Sequence, residues 1–138
     1  MRTSTGRRAA QAAAVATITL GAMGLATGGA KADAPPGGVE TCPSNSVCLY
    51  FNSPGNGWGS FENWSPGQHH IDLSCCTFSH WANGSGHGAN VYGNAASIVN
   101  NTDHFVNVYL ENGRYVHFEP WFAGSLNLAW NYDAALDT

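Results

Sequence analysis

The sequence predicts an all-β domain built from two related Greek-key-like units packed face to face as a sandwich. Three observations point there. The chain beyond residue 40 is rich in glycine, asparagine, serine and aromatic residues, and poor in the Glu/Lys/Leu mixture that fills helices. Asn112-Gly113, the preferred pair for a tight β-hairpin turn, separates two β-type runs. Two stretches of the second half also echo two of the first.

The amino end has a different character. Arg2, Arg7 and Arg8 accompany an Ala-rich apolar run from Ala9 to about Ala26, and small residues follow around Ala30-Lys31-Ala32. That order predicts a secretory signal peptide over residues 1–32, cut after Ala32, with Ala34 as the alternative site. The run is too rich in Ala, Gly and Thr for a membrane anchor, which needs ~20 strongly apolar residues. Arg7-Arg8 lacks the following apolar and lysine positions of a twin-arginine signal.

Cleavage changes the charge picture. The whole chain carries −4, but all nine carboxylates lie from Asp33 onward and Arg114 is the one Lys or Arg that remains, leaving −8 with histidines neutral. Such a surface repels phosphate backbones and anionic lipid, which argues against nucleic acid and, after signal cleavage, against a membrane partner. It also offers trypsin-like proteases almost no cleavage sites. The expectation is a secreted, extracellular monomer without cofactor.

Residues 33–41, with Pro35-Pro36-Gly37-Gly38, read as a flexible leader, and residues 42–138 as one domain with one core. Residues 47–51 predict a first strand, residues 52–57 a Pro/Gly loop, residues 58–63 a second strand, and residues 69–73 a third after the Ser65-Pro66-Gly67 turn. Residues 74–93 show little periodicity and contain Gly84, Gly86, Gly88 and Gly93. Loops of that length inside a small domain are usually functional or cross-linked. Strand character resumes at residues 95–100. Residues 105–111 and 114–118 flank Asn112-Gly113, which predicts a two-residue type I′ hairpin with both central residues at positive φ. That register sets Glu111 opposite Arg114, an exposed ion pair worth at most ~1 kcal/mol. The echo between halves aligns Cys48-Leu49-Tyr50-Phe51-Asn52 with Val108-Tyr109-Leu110-Glu111-Asn112 after a shift of one. It also aligns Asn94-Ala95-Ala96-Ser97-Ile98 with Tyr132-Asp133-Ala134-Ala135-Leu136.

Four cysteines in a short exported chain imply two disulfides, with three possible pairings. Cys42 and Cys48 are close enough for a local bridge, which would leave Cys75 and Cys76 as a vicinal disulfide or as thiols. Alternatively each of these bridges back to one of the first pair. Cys75, Cys76, His80 and His87 carry zinc-type ligands, but adjacent cysteines on an extended backbone point opposite ways and the spacing fits no structural zinc motif, so no metal is expected. No catalytic residues are expected either. Gly84-Ser85-Gly86-His87-Gly88 lacks the strand-turn-helix setting of a nucleophile elbow and fails as a dinucleotide fingerprint, which leaves a flexible loop.

Aromatic residues give the better hint of binding. Pro120-Trp121-Phe122-Ala123-Gly124 and Gly57-Trp58-Gly59 set large apolar side chains among turn residues. In the core they supply bulk; exposed, they favour a macromolecular partner.

Cys42-Pro43-Ser44-Asn45-Ser46-Val47-Cys48-Leu49-Tyr50 resembles the opening motif of the SMPI-type family of secreted actinobacterial peptidase inhibitors, which includes metalloproteinase inhibitors. Asn94-Ala95-Ala96-Ser97-Ile98-Val99-Asn100-Asn101-Thr102, with His104-Phe105, is similar to that family's close of the first repeat. The resemblance implies a βγ-crystallin-like fold, a Cys42–Cys48 disulfide and an extracellular protease partner, which for some members of the family is a metalloprotease. Inhibitory members look to carry a second cysteine-bounded loop in the second repeat. Here no cysteine follows Cys76, so no reactive bond carries over. The crystallin calcium motif is also incomplete at Gly93-Asn94-Ala95-Ala96-Ser97-Ile98.

The expected function is therefore peptidase inhibition by a rigid, substrate-mimicking loop, with Cys76, Thr77, Phe78, Trp121 and Phe122 as candidate contacts. The rival is a non-inhibitory crystallin-like extracellular binding module or antimicrobial factor that binds glycans through Trp58, Trp81 or Trp121. A small hydrolase is a third reading, and it lacks a nucleophile and base in register.

Overall fold

Alternating apolar residues in short runs, separated by Gly, Pro and Asn turns, leave this chain little choice but strands. A computed structural model describes residues 35–138; the expected signal peptide and the start of the leader lie outside the described residues. Eight strands follow in order: β1 Val47–Tyr50, β2 Phe61–Trp64, β3 Ile71–Asp72, β4 Ser97–Asn100, β5 Val106–Leu110, β6 Tyr115–Phe118, β7 Ala123–Ser125 and β8 Asp133–Asp137. Three short 3-10 turns, Pro54–Asn56, Leu73–Cys75 and Asn127–Ala129, complete the secondary structure, with no α-helix among the described residues.

The strands form two antiparallel sheets, β2-β1-β4-β7 and β3-β8-β5-β6. Advancing each strand of the first sheet by four places along the chain, and counting on from β8 to β1, reproduces the second sheet read backwards. Each unit of four strands thus lends its third strand to the other unit's sheet. The registers agree with the internal echo: Leu49 faces Ile98 in the first sheet and Val108 faces Leu136 in the second.

Period-two alternation decides which side chains meet between the sheets. Val47, Leu49 and Ile98 from the first sheet pack with Val106, Val108, Val116, Phe118 and Leu136 from the second. The opposite face of β1 is buried as well. Cys48 and Tyr50 join Cys42, Trp58, Phe61 and Ala123 in a second cluster on the outside of the first sheet, with Val39 of the leader packed against it. Cys42 is bonded to Cys48, with Cα atoms 5.8 Å apart; closing so short a loop contributes roughly 2 kcal/mol in the chain-entropy account. The Tyr50 hydroxyl donates to the Glu40 carbonyl at 3.2 Å, and burial drives its pKa well above the ordinary tyrosine value.

Several local expectations change. The second strand begins at Phe61, because Trp58 (φ 64°) and Gly59 (φ 80°) turn the chain before it. His70 at φ 49° likewise shortens the third strand to Ile71–Asp72. The hairpin is a three-residue loop with a glycine bulge rather than a two-residue type I′ turn, since only Gly113 of the central pair has positive φ, at 81°. The Gly113 N–H donates to the Leu110 carbonyl at 2.9 Å, and Leu110 N–H to the Arg114 carbonyl at 2.7 Å. The Asn112 side chain accepts from the Arg114 N–H at 3.0 Å, closing the loop locally. Arg114 consequently faces Leu110, and the expected Glu111–Arg114 ion pair does not form.

Candidate functional site

The segment that departs most from strand periodicity, residues 74–93, is held at every turn of its path. It starts with a capped turn: the Asp72 carboxylate accepts from the Ser74 N–H at 2.9 Å, and hydrogen bonds from Ser74 hold the Asp72 carboxyl below its ordinary pKa. Cys75 and Cys76 are bonded to each other, and the Cys76 N–H donates to the Leu73 carbonyl at 3.3 Å.

An extended stretch follows, with Thr77 and Ser79 exposed and Phe78 between them drawn inward. Its inner edge is paired. Val91 N–H donates to the Cys76 carbonyl, Phe78 N–H to the Ala89 carbonyl and Gly88 N–H to the Phe78 carbonyl, all at 2.9 Å. At His80 the chain changes partner and exchanges main-chain bonds of 2.9 and 3.3 Å with Phe61 of β2. Thr77 lies between these anchors, and its N–H and carbonyl make no hydrogen bond among the described residues. Phe78 is fully buried, edge-on to Phe51 with centroids 5.6 Å apart.

The glycines explain how the rest of the loop lies so close to the body. A Cβ at Gly86 would sit 2.1 Å from the Phe51 ring, and one at Gly84 would sit 2.6 Å from the Ser60 nitrogen. Ser60 answers from β2's side: its hydroxyl reaches the carbonyls of Trp81 (2.8 Å) and Gly84 (3.0 Å), and its N–H donates to the Ser85 carbonyl at 2.9 Å. Gly84 to Gly88 is thus a pinned loop rather than a flexible one. His80 stacks on Phe61 at 4.8 Å with its ring nitrogens 3.8 Å from Glu40 and from Glu62, contacts that become ion pairs when the imidazole is protonated. The Ser79 hydroxyl donates to the Glu62 carboxylate.

The candidate contacts fall into two places. Cys76, Thr77 and Phe78 pair with residues 88–91 and lead into the His80 bridge to β2, whereas Trp121 and Phe122 precede β7, on the opposite edge of the first sheet. Thr77 and Trp121 are exposed, Cys76 is half-buried, and Phe78 and Phe122 give their side chains to the core. Trp58 is buried at 1 % exposure and cannot serve as a surface platform; Trp81 is half-buried. Because Cys75 and Cys76 are bonded together, neither offers a thiolate to a metal.

Two features escaped the sequence reading. Asp133 is fully buried; its Oδ1 accepts from the Ala95 N–H at 3.1 Å while Oδ2 has no partner among the described residues. Burial pushes its pKa up to about 8, and the Glu111 charge adds to the shift. A groove of 390 Å³ also runs beside the β5–β6 hairpin, lined by Leu110, Arg114, Tyr115, Leu128 and Tyr132 among others. Arg114 stood out in the sequence as a lone cation, but residues 128 and 132 reach it only through the fold.

Residues 35–115, more than half of the chain, match the family model described as peptidase inhibitor family I36. No curated protein and no solved structure matches the chain.

Proposed function

The chain belongs to peptidase inhibitor family I36, and from that premise we propose that it is a secreted monomer that blocks an extracellular protease with residues 75–79. A member of such a family acts on an enzyme and is not one itself. The scaffold reads as a βγ-crystallin-like Greek-key sandwich over residues 42–138, a reading supported by the exchange of third strands between the units.

One observation carries the choice of segment. Thr77 presents an unpaired main-chain donor and acceptor on an extended stretch fastened on both sides. Proteases bind substrates as extended chains, and an edge with free N–H and carbonyl groups adds to such a cleft as a strand would. Thr77 and Ser79 then offer their side chains to the enzyme's pockets. The anchors make this an inhibitor rather than a substrate. The Cys75–Cys76 ring and the capped turn hold the stretch before Thr77, and the His80–Phe61 pair holds it after. Little conformational freedom is lost on docking, and a cut would leave both new ends in place.

The test is titration of the mature protein against a thermolysin-like and a subtilisin-like enzyme. We expect stoichiometric loss of activity for at least one of them. Thr77→Pro removes the outward N–H and the exposed Thr77 side chain but no hydrogen bond of the fold, so the variant should fold and inhibit about a hundredfold more weakly. Unchanged rates for both enzymes at micromolar excess would refute the proposal and favour a non-inhibitory binding module. Full potency in folded Thr77→Pro would move the contact elsewhere.

A further inference from the structure

The far edge of the first sheet carries a site that inhibition by residues 75–79 leaves unused. A cleft of 400 Å³ opens between the disulfide loop and the turns around residues 101–104 and 119–122, lined by Ser44, Asn45, Asn101, Asp103 and Trp121. Two amides lock these three segments together. Asn100, 1 % exposed, donates through Nδ2 to the carbonyls of His104 (2.7 Å) and Glu119 (3.0 Å), and its Oδ1 accepts from the Thr102 hydroxyl at 2.7 Å. Asn101 donates through Nδ2 to the carbonyls of Cys42 (3.3 Å) and Pro43 (3.0 Å).

The backbone at this cleft is held in an unfavourable state. Trp121 sits at φ 63° and Asn45 at φ 54°. Asparagine tolerates the left-handed region, but for a bulky aromatic it is costly, a cost that Trp58 and Trp81 also bear. The turn leaves the Trp121 ring 50 % exposed while the next residue, Phe122, enters the core.

The chemistry around the ring is specific. A flat apolar indole stands among a serine hydroxyl, an asparagine amide, the Asn101 Oδ1, which makes no hydrogen bond among the described residues, and one carboxylate. An anionic guest would meet Asp103 on a chain that, once the expected signal peptide is removed, carries −8 from nine carboxylates and one arginine. A cationic guest would find a single carboxylate already facing the His104 Nδ1 at 2.7 Å. A pyranose ring fits better: its C–H face packs on indole, and its hydroxyls both donate to and accept from amides, a hydroxyl and a carboxylate. We propose that this cleft binds a neutral pyranoside chain, giving the protein a glycan-binding function separate from inhibition.

Titration of the mature protein with cellopentaose and with the β-1,4-linked N-acetylglucosamine pentamer, followed by calorimetry and the indole N–H resonances, tests this. Pentagalacturonate and arginine amide serve as the anionic and cationic arms. At least one neutral oligosaccharide should bind saturably and shift the Trp121 indole signal. Binding should weaken about tenfold in Trp121→Asn, which keeps a left-handed backbone accessible, and about threefold in Asp103→Asn. No binding of either neutral oligosaccharide at millimolar concentration would overturn the proposal. Undiminished binding by folded Trp121→Asn, or stronger binding of arginine amide, would do the same. Should Trp121→Asn fail to fold, the wild-type indole shifts alone decide: a response at any indole other than Trp121 counts against the site.

Discussion

The connection between the third and fourth strands is where the two units differ most. In the first unit it spans residues 73–96 and carries the vicinal disulfide, two isolated bridges and the glycines pressed against Phe51 and Ser60. In the second it spans residues 126–132 and is little more than the Asn127–Ala129 turn. The strands on either side still pair in equivalent registers, apart from a bulge between Tyr109 and Leu110 in the second sheet. Loop length therefore matters little to the sandwich, because closure entropy grows slowly with length while register is set by the inner apolar residues. The first unit uses that freedom to hold an extended segment at the surface.

The outer faces differ too. The first sheet's is covered by the cluster around Tyr50, Trp58 and Phe61. The second sheet's carries Tyr109 beside Tyr115, with ring centroids 5.6 Å apart, and His117 stacked on Phe105 at 4.8 Å, with Tyr115 and Phe105 exposed.

The largest effect should come from the position where the echo sets Asp133 against Ala95. Between its ordinary pKa of 3.8 and about 8, folded Asp133 keeps a proton that the unfolded chain has released. Unfolding then releases a proton, so raising the pH favours it: the group's contribution is whole below pH 4 and is lost as pH climbs through 8. The loss is on the order of 5 kcal/mol. Denaturant titrations from pH 4 to 9 should show wild-type stability falling relative to Asp133→Asn, which still accepts from the Ala95 N–H and cannot ionise. A constant difference between the two across this range would contradict the burial argument.

Next in size is the contrast between two glycines. Gly86→Ala forces a methyl into the Phe51 ring at φ 80° and should destabilise by about 3 kcal/mol, with inhibition weakened as the loop lifts. Removing the disulfide with Cys42→Ser and Cys48→Ser should cost roughly 2 kcal/mol, read as a lower denaturation midpoint, and should loosen the cover on the first sheet's outer face. In the second unit's hairpin, Gly113→Ala meets nothing within 4 Å and faces only its φ of 81°, a cost of about 1 kcal/mol. Equal effects at Gly86 and Gly113 would remove the distinction between a packed loop and a free turn.

Much of the fold was readable because local signals agreed. Val47 to Tyr50, Val106 to Leu110 and Tyr115 to Phe118 are bounded by turn residues, and the echo aligned Leu49 with Val108 and Ile98 with Leu136 ahead of any register. β7 was not readable: Ala123-Gly124-Ser125 has no strand pattern of its own and is a strand because β4 binds it. The site was half legible. Residues 74–93 stood out by their glycines and paired cysteines, but the free main-chain edge of Thr77 exists only because Ala89 and Val91 lie on the other side.

From residues alone came what depends on nearest neighbours and on composition: an exported acidic chain by expectation, an all-β body, a short cysteine loop and a turn at Gly113. Tertiary structure decided everything that needs two distant segments at once. It placed Phe78 inside and Thr77 outside, buried Asp133 without a second partner, and separated Trp121 from the loop beside β2. The physical reason is that a strand states only which residues alternate; whether a face meets a core, another chain or water is set by the sheet that receives it.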